Sequence, residues 1–220
     1  MINYIKRIRF LESQKNLLNE DGLNMLKIFK DKECIFFHIP KAAGISISRS
    51  LFGDVGWGHH DYFYYRYIFG KKSFNKFFKF SFVRNPYNRL YSAFHFLKNG
   101  GISPQDYRFS KEKLDRFSSF SDFVLNGMED KEILNFVHFK PQTDFIIDEK
   151  GNNVVDFLGK FERIDKDFKE VCDILGVEVP LKFLNKTPKK NKKPLNLSSV
   201  HKNIISKVYS RDFKIFEYEP

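Results

Sequence analysis

Two short stretches carry residues whose types and spacing suit the binding of anions. In CIFFHIPKAAGISISRS (34–50) an apolar run breaks at Pro40, and Lys41, Gly44, Ser46 and Ser48 follow as a helical pattern begins. A strand that turns straight into a helix leaves the first helical N–H groups without intrahelical partners. Those donors, with the helix dipole, attract negative charge. Gly44 has no Cβ to hold a ligand off the backbone, Lys41 supplies a mobile cation, and the serines supply hydroxyl donors. In FSFVRNPYNRLYSAFHFL (80–97) Arg84 ends a second apolar run, the place where open α/β sheets bind ligands. Asn85 suits a helix cap and Pro86 a first helical residue. Asn85, Arg89 and Ser92 then share one helical face, with Leu90, Phe94 and Leu97 on the opposite one. Arginine grips a phosphate through two N–H groups at once. Two anion sites at neighbouring strand ends call for one ligand with two separated anionic groups.

The pattern is not that of a magnesium-dependent nucleotide triphosphatase. The familiar phosphate loop is G-x-x-x-x-G-K-[ST], whereas here the lysine precedes the glycine. Such enzymes also need a strand-end carboxylate to hold magnesium, and the second apolar run ends in Arg84 instead.

The elements that must position these residues can be read along the chain. Residues 1–30 read as helical and 33–39 (ECIFFHI) as a buried strand, and a helix starts at 46–52. KFFKFSFV (76–83) is a second strand, and Pro86 opens a helix to about Leu97. Helices are expected over 110–127, 129–138 and 165–175, and a closing one from about Ser198. Two short strands are expected within 143–162, around the turn Asp148-Glu149-Lys150-Gly151. Residues 185–196 read as a basic, proline-marked loop. Strands alternating with helices point to an α/β fold with a mainly parallel sheet.

At 220 residues the chain is expected to form a single domain. Hydrophobic residues make up 42% and aromatics 17%, which excludes a disordered chain. The formal charge of +11 favours polyanionic or phosphate-bearing partners without choosing among them. Two cysteines, Cys34 and Cys172, cannot form a disulfide framework. Neither a membrane span nor a signal peptide is read, so a cytoplasmic setting is the expectation. Ile2, Ile5 and Ile8 mark an amphipathic stripe, read as packing on the domain, with peripheral membrane contact as the alternative.

HIPKAAGISI followed by FVRNPYNRLYSAF resembles the carbohydrate sulfotransferases that use 3′-phosphoadenosine 5′-phosphosulfate (PAPS), of the heparan sulfate 2-O- and HNK-1 type. HFKPQTDFIID, VVDFLGKFERIDKDF, LNKT and YSRDFKIFEY extend the resemblance over about residues 33–219. It implies a P-loop-like three-layer α/β/α fold. It also implies that Pro40, Lys41, Ala42, Ala43, Gly44, Ile45 and Ser46 cradle the 5′-phosphosulfate, and that Arg84 with Ser92 holds the 3′-phosphate. Arg163, Lys186 and Thr187 would close over the nucleotide. Within Ala42-Ala43 and at Ile45 the chain departs from the family's usual Lys-Thr-Ala-Gly-Thr, Ala42 and Ile45 each standing where the family has threonine, so two threonine hydroxyls are missing from the loop.

Transfer of a sulfuryl group to a hydroxyl needs a base for the acceptor proton and positive charge on the departing oxygen. Lys41 suits the second task. By the resemblance the base is a histidine in a G-H segment between the two motifs, here His59 or His60 in GWGHHDYFYY, with His59 preferred because it follows Gly58 directly. His38 reads as a packed or supporting group, and His138 as shaping the acceptor cleft or as structural. Aromatics from Trp57 to Tyr67 could face sugar rings or form core, and Lys189, Lys190, Lys192 and Lys193 read as a solvated loop, a lid or an acceptor contact. No metal is expected. The resemblance implies a glycan or glycolipid acceptor and a bacterial enzyme; no nucleic-acid-binding signature is present. On the residues alone, a non-catalytic polyanion binder and a metal-independent phosphotransferase stay open.

Overall fold

A computed structural model of the chain describes residues 20–53, 58–182 and 195–220. In chain order the elements are α1 (Glu20–Asp31), β1 (Cys34–Phe37), α2 (Gly44–Phe52), α3 (Tyr62–Lys76), β2 (Phe78–Val83), α4 (Pro86–Lys98) and α5 (Pro104–Phe109). A π-helical turn (Ser110–Leu114) leads to α6 (Phe120–Gly127), α7 (Lys131–Asn135), α8 (Thr143–Ile146) and β3 (Phe157–Lys160). A 3₁₀ turn (Phe161–Arg163) then enters α9 (Ile164–Leu175), and α10 (Ser199–Val208) and α11 (Ser210–Ile215) close the chain. The fold is α/β, as the alternation of strands and helices predicts.

The chain gathers into two compact units. The first comprises the described parts of Met1–Ile39, Ala43–Phe82 and Phe145–Leu184. The second comprises those of Pro40–Ala42, Val83–Asp144 and Asn185–Pro220. The first unit holds the three-stranded sheet, in the order β1-β2-β3. β1 and β2 run parallel, with Cys34 opposite Phe78 and Phe37 opposite Ser81. Cys34, Ile35, Phe36 and Phe37 are all buried, the signature of a strand covered on both faces. Phe36 stacks on Phe80 at 5.0 Å, and Phe37 meets Tyr65 of α3 edge-on at 5.2 Å. The α3 helix is kinked at Gly70, whose φ of 73° and ψ of 158° lie in a region open essentially only to glycine.

The second unit packs α4 against α5, α6, α10 and α11. Leu90, Phe94 and Leu97 on one face of α4 are buried with Phe123, Phe139 and Ile205. Asn85 caps α4 by accepting hydrogen bonds from the Tyr87 and Asn88 amides, with Pro86 in the first turn, as the sequence suggests.

Three expected elements differ. The helix expected over 110–127 is broken: after the π turn, Ser119 starts a new helix by accepting from the Asp122 amide. The helix expected over 129–138 is confined to Lys131–Asn135, because Asp130 caps its start and the chain leaves helical geometry at Phe136. The first of the two strands expected within 143–162 is the short helix α8. Only an isolated bridge, Ile147 with Asn153, spans the turn, where the Asp148 carboxylate accepts from the Lys150 and Asn152 amides. Residues 1–19 and most of the basic loop over 185–196 lie outside the described residues. Among those described, no helix is long and apolar enough to cross a membrane.

Candidate active site

Pro40, Lys41 and Ala42 belong to the second unit, although Ile39 and Ala43 on either side belong to the first. The side chain that fixes them is Arg89 of α4, only 2% exposed. Its guanidinium donates to three carbonyls: Nε to Pro40 at 3.0 Å, Nη1 to Lys140 at 2.9 Å and Nη2 to His138 at 3.3 Å. Burial depresses its pKa, with Tyr209, Asp212 and Asp144 acting in the opposite sense. The spacing of Arg89 with Ser92 suggested a phosphate contact; instead Arg89 holds the turn that carries Lys41.

Arg84 leaves the end of β2 and donates from Nη1 to the Lys41 carbonyl at 3.3 Å. Its own backbone is clamped from both sides by buried Gln142. The Arg84 amide donates to Oε1 at 2.9 Å, and Gln142 Nε2 donates to the Arg84 carbonyl at 2.8 Å. Asp212, fully buried, in turn accepts from the Gln142 and Thr143 amides at 2.8 and 3.0 Å. Lys41 and Arg84 are therefore neighbours, each on a backbone fixed by buried hydrogen bonds. Ser92 lies partly exposed on α4, two turns beyond Arg84.

Lys41 has a left-handed backbone (φ 68°), which a residue with a Cβ adopts only at a cost of about 1–3 kcal/mol. Its ammonium lies 3.7 Å from the centroid of the Phe96 ring. Burial lowers its pKa to about 8; Arg84 and Arg89 push the same way and Asp106 opposes them. Phe96 in turn lies against the His138 imidazole, ring centroids 5.1 Å apart. His138 Nε2 meets Asp106 Oδ1 at 3.1 Å, and the other Asp106 oxygen accepts from the Ile102 and Ser103 amides. Burial raises the Asp106 pKa, but these donors outweigh it and hold the carboxylate ionised. Burial keeps His138 neutral, and as the Nε2–H tautomer it can still donate to Asp106.

In the first unit, Ala43 is also left-handed (φ 66°) and stands at the N-cap of α2 with no side-chain cap. The first amides of α2 are thus not closed off by the residue before it. Ser46 and Ser48 are buried, Ile45 is half-buried, and the Ser46 carbonyl accepts from Ser50. Gly44 has a packing reason the sequence does not show. A Cβ there would sit 1.7 Å from Cδ2 of His38, so the buried imidazole occupies the space. His38 is a packed supporting residue, stacked on Phe36 at 5.9 Å.

His59 and His60 differ sharply. His59 Nδ1 lies 3.0 Å from the His38 carbonyl, and its ring is 4.4 Å from the His38 ring. A carbonyl only accepts, so Nδ1 carries the proton and Nε2 the basic lone pair. His60 lies flat on Tyr64 at 3.7 Å, and burial lowers its pKa to about 4 despite Asp61. Arg163 is exposed and donates from Nε to buried Asp167 at 2.7 Å, where the Lys160 amide also donates. Lys186, Thr187 and Trp57 lie outside the described residues.

Arg89, Gln142, Asp212, Phe96 and Asp106 are the supporting residues that motif reading misses. Arg89 and Phe96, Gln142, and Asp212 lie in the stretches FSFVRNPYNRLYSAFHFL, HFKPQTDFIID and YSRDFKIFEY read above, but their supporting roles, like that of Asp106, follow from packing. No curated protein and no solved structure matches this chain. The family model of the sulfotransferase family matches residues 24–219, spanning both motifs and the segments that hold them in place. The chain is a member of the sulfotransferase family.

Proposed function

We propose that this sulfotransferase moves the sulfuryl group of PAPS to a hydroxyl of a carbohydrate or glycolipid. The observation that carries the reading is the pairing of Lys41 with Arg84, two cations joined through the Lys41 carbonyl on a left-handed turn. The donor bears a phosphosulfate at one end of its ribose and a phosphate at the other, which fits two cations on separate strand-end segments. The chain from Pro40 to Ser46, with the uncapped start of α2, would cradle the 5′ end, and Arg84 with Ser92 the 3′-phosphate. Arg163, Lys186 and Thr187 are proposed as further contacts to the nucleotide.

The donor supplies the activated sulfuryl group; the protein supplies charge and a base. Lys41 offsets negative charge that builds on the departing oxygen. His59 takes the acceptor proton on Nε2, since its Nδ1–H is committed to the carbonyl of His38, three residues before Lys41 in the chain. His60, with its pKa lowered to about 4, is a poor base near neutrality. A cytoplasmic enzyme acting on a sugar precursor, without metal, completes the proposal.

Thermal unfolding in the presence of 3′-phosphoadenosine 5′-phosphate or of ATP tests the donor. Stabilisation by the first alone supports the reading, and stabilisation by ATP alone points to a phosphotransferase. Transfer of labelled sulfate from PAPS to a panel of cell-envelope sugars, with mass spectrometry of the product, then identifies the acceptor. No labelled product with any hydroxyl acceptor, from protein that binds the nucleotide, would favour a non-catalytic binder.

A further inference from the structure

We propose that Phe96 and Asp106 are positioning residues for Lys41, the ring face and the buried carboxylate together holding its ammonium charged and in place. This rests on the sulfotransferase reading for its purpose, but its geometry stands apart from it. The ammonium lies 3.7 Å over the Phe96 ring, well inside the range of cation–π attraction. His138 lies against that ring and joins Phe96 to Asp106, at 5.1 Å between ring centroids and 3.1 Å from Nε2 to Oδ1.

The charges around Lys41 show why such support is needed. Arg84 and Arg89 face it as like charges, His138 is neutral, and among the described residues Asp106 is the carboxylate acting on it. Two arginines and burial favour the free amine, which could not stabilise a leaving oxygen. The ring and the carboxylate oppose that loss. Asp106 is an ordered acceptor whether or not a ligand is bound, because the Ile102 and Ser103 amides and the start of α5 fix it. The carboxylate is therefore a permanent counter-charge.

The test reads the lysine directly and needs neither donor nor turnover. An amine-selective acylating reagent reacts with the unprotonated lysine, and peptide mass spectrometry follows the Lys41 peptide as pH is varied. Phe96→Leu and Asp106→Asn should each shift the Lys41 labelling profile to lower pH by about half a unit to one unit. At pH 7 that is about threefold to fivefold faster labelling. Phe96→Trp, which keeps a ring face, should restore the original profile. In active protein the alkaline limb of turnover should move with the labelling curve.

An unchanged Lys41 profile in folded Phe96→Leu protein would overturn the role of the ring, and in folded Asp106→Asn protein that of the carboxylate. Should Asp106→Asn not fold, Asp106→Ser, which keeps an acceptor for the Ile102 and Ser103 amides without the charge, decides the same link: the proposal requires a shifted Lys41 profile there, and an unchanged one contradicts it. A shifted lysine in protein without sulfuryl transfer would leave this inference intact and remove only the proposed function.

Discussion

At Lys41 two requirements compete. Burial and two neighbouring arginines lower its pKa to about 8, whereas its proposed task needs the ammonium. A bound phosphosulfate would raise the pKa again by placing negative charge beside it. The sign of the pH effect follows. Below about pH 8 the free protein already carries the proton; above it, binding must first recover one. Affinity for 3′-phosphoadenosine 5′-phosphate, measured by calorimetry, should therefore weaken as pH rises past about 8. Lys41→Arg, charged throughout, should lack that bend; its persistence there would assign the limb to another group. The two histidines give a second expectation at this scale. His59→Ala should lower kcat at least about a hundredfold, the usual scale for losing a general base. His60→Ala should cost far less, and the reverse order would exchange their roles.

Single helices and turns carry the next level. Arg89 satisfies three carbonyls from two segments of the second unit. Arg89→Leu would leave those buried acceptors unpaired, at about 3–5 kcal/mol, read as a lower urea midpoint. Little change in midpoint would mean that water replaces the guanidinium. Gly44→Ala should cost about 1–3 kcal/mol by driving a methyl into His38. In a His38→Ala background the same change should cost much less, because the obstructing ring is gone; equal costs in both backgrounds would show that the ring is not the obstacle.

These elements also show what sequence can reveal. β1, β2, α4, α9 and the capped start of α10 were legible within a few residues, because burial patterns, Asn85-Pro86 and Ser198 mark them locally. Arg84 and Lys41 stood out because each follows an apolar run, and the histidine pair through the family resemblance; their chemical roles are proposals. The role of Arg89 was not legible, since spacing gives the face of a helix but not the carbonyls opposite. The short helix α8 was hidden in a strand-like apolar run, and it begins where the Asp212 carboxylate, distant in sequence, takes the Thr143 amide. Gly44 was read as leaving its backbone open to a ligand; the His38 ring packed against it is a second reason for glycine that the sequence does not show.

Across the whole molecule, the family match over residues 24–219 covers both compact units, so neither is an appended module of unrelated origin. The chain enters the second unit for three residues, Pro40–Ala42, and there Lys41 joins Arg84. The net charge of +11 gives a general attraction for anions, but any basic protein has that. The specific claim is a division of labour between two adjacent cations, Arg84 for holding the nucleotide and Lys41 for the transfer. Calorimetric titration of 3′-phosphoadenosine 5′-phosphate into Arg84→Ala and Lys41→Ala protein, beside their sulfate-transfer rates, measures it. We expect Arg84→Ala to lose about tenfold to a hundredfold in affinity. Lys41→Ala should retain part of its affinity, weakened as in the parent protein above about pH 8, and lose turnover. Near-normal affinity and turnover in both variants would contradict the account.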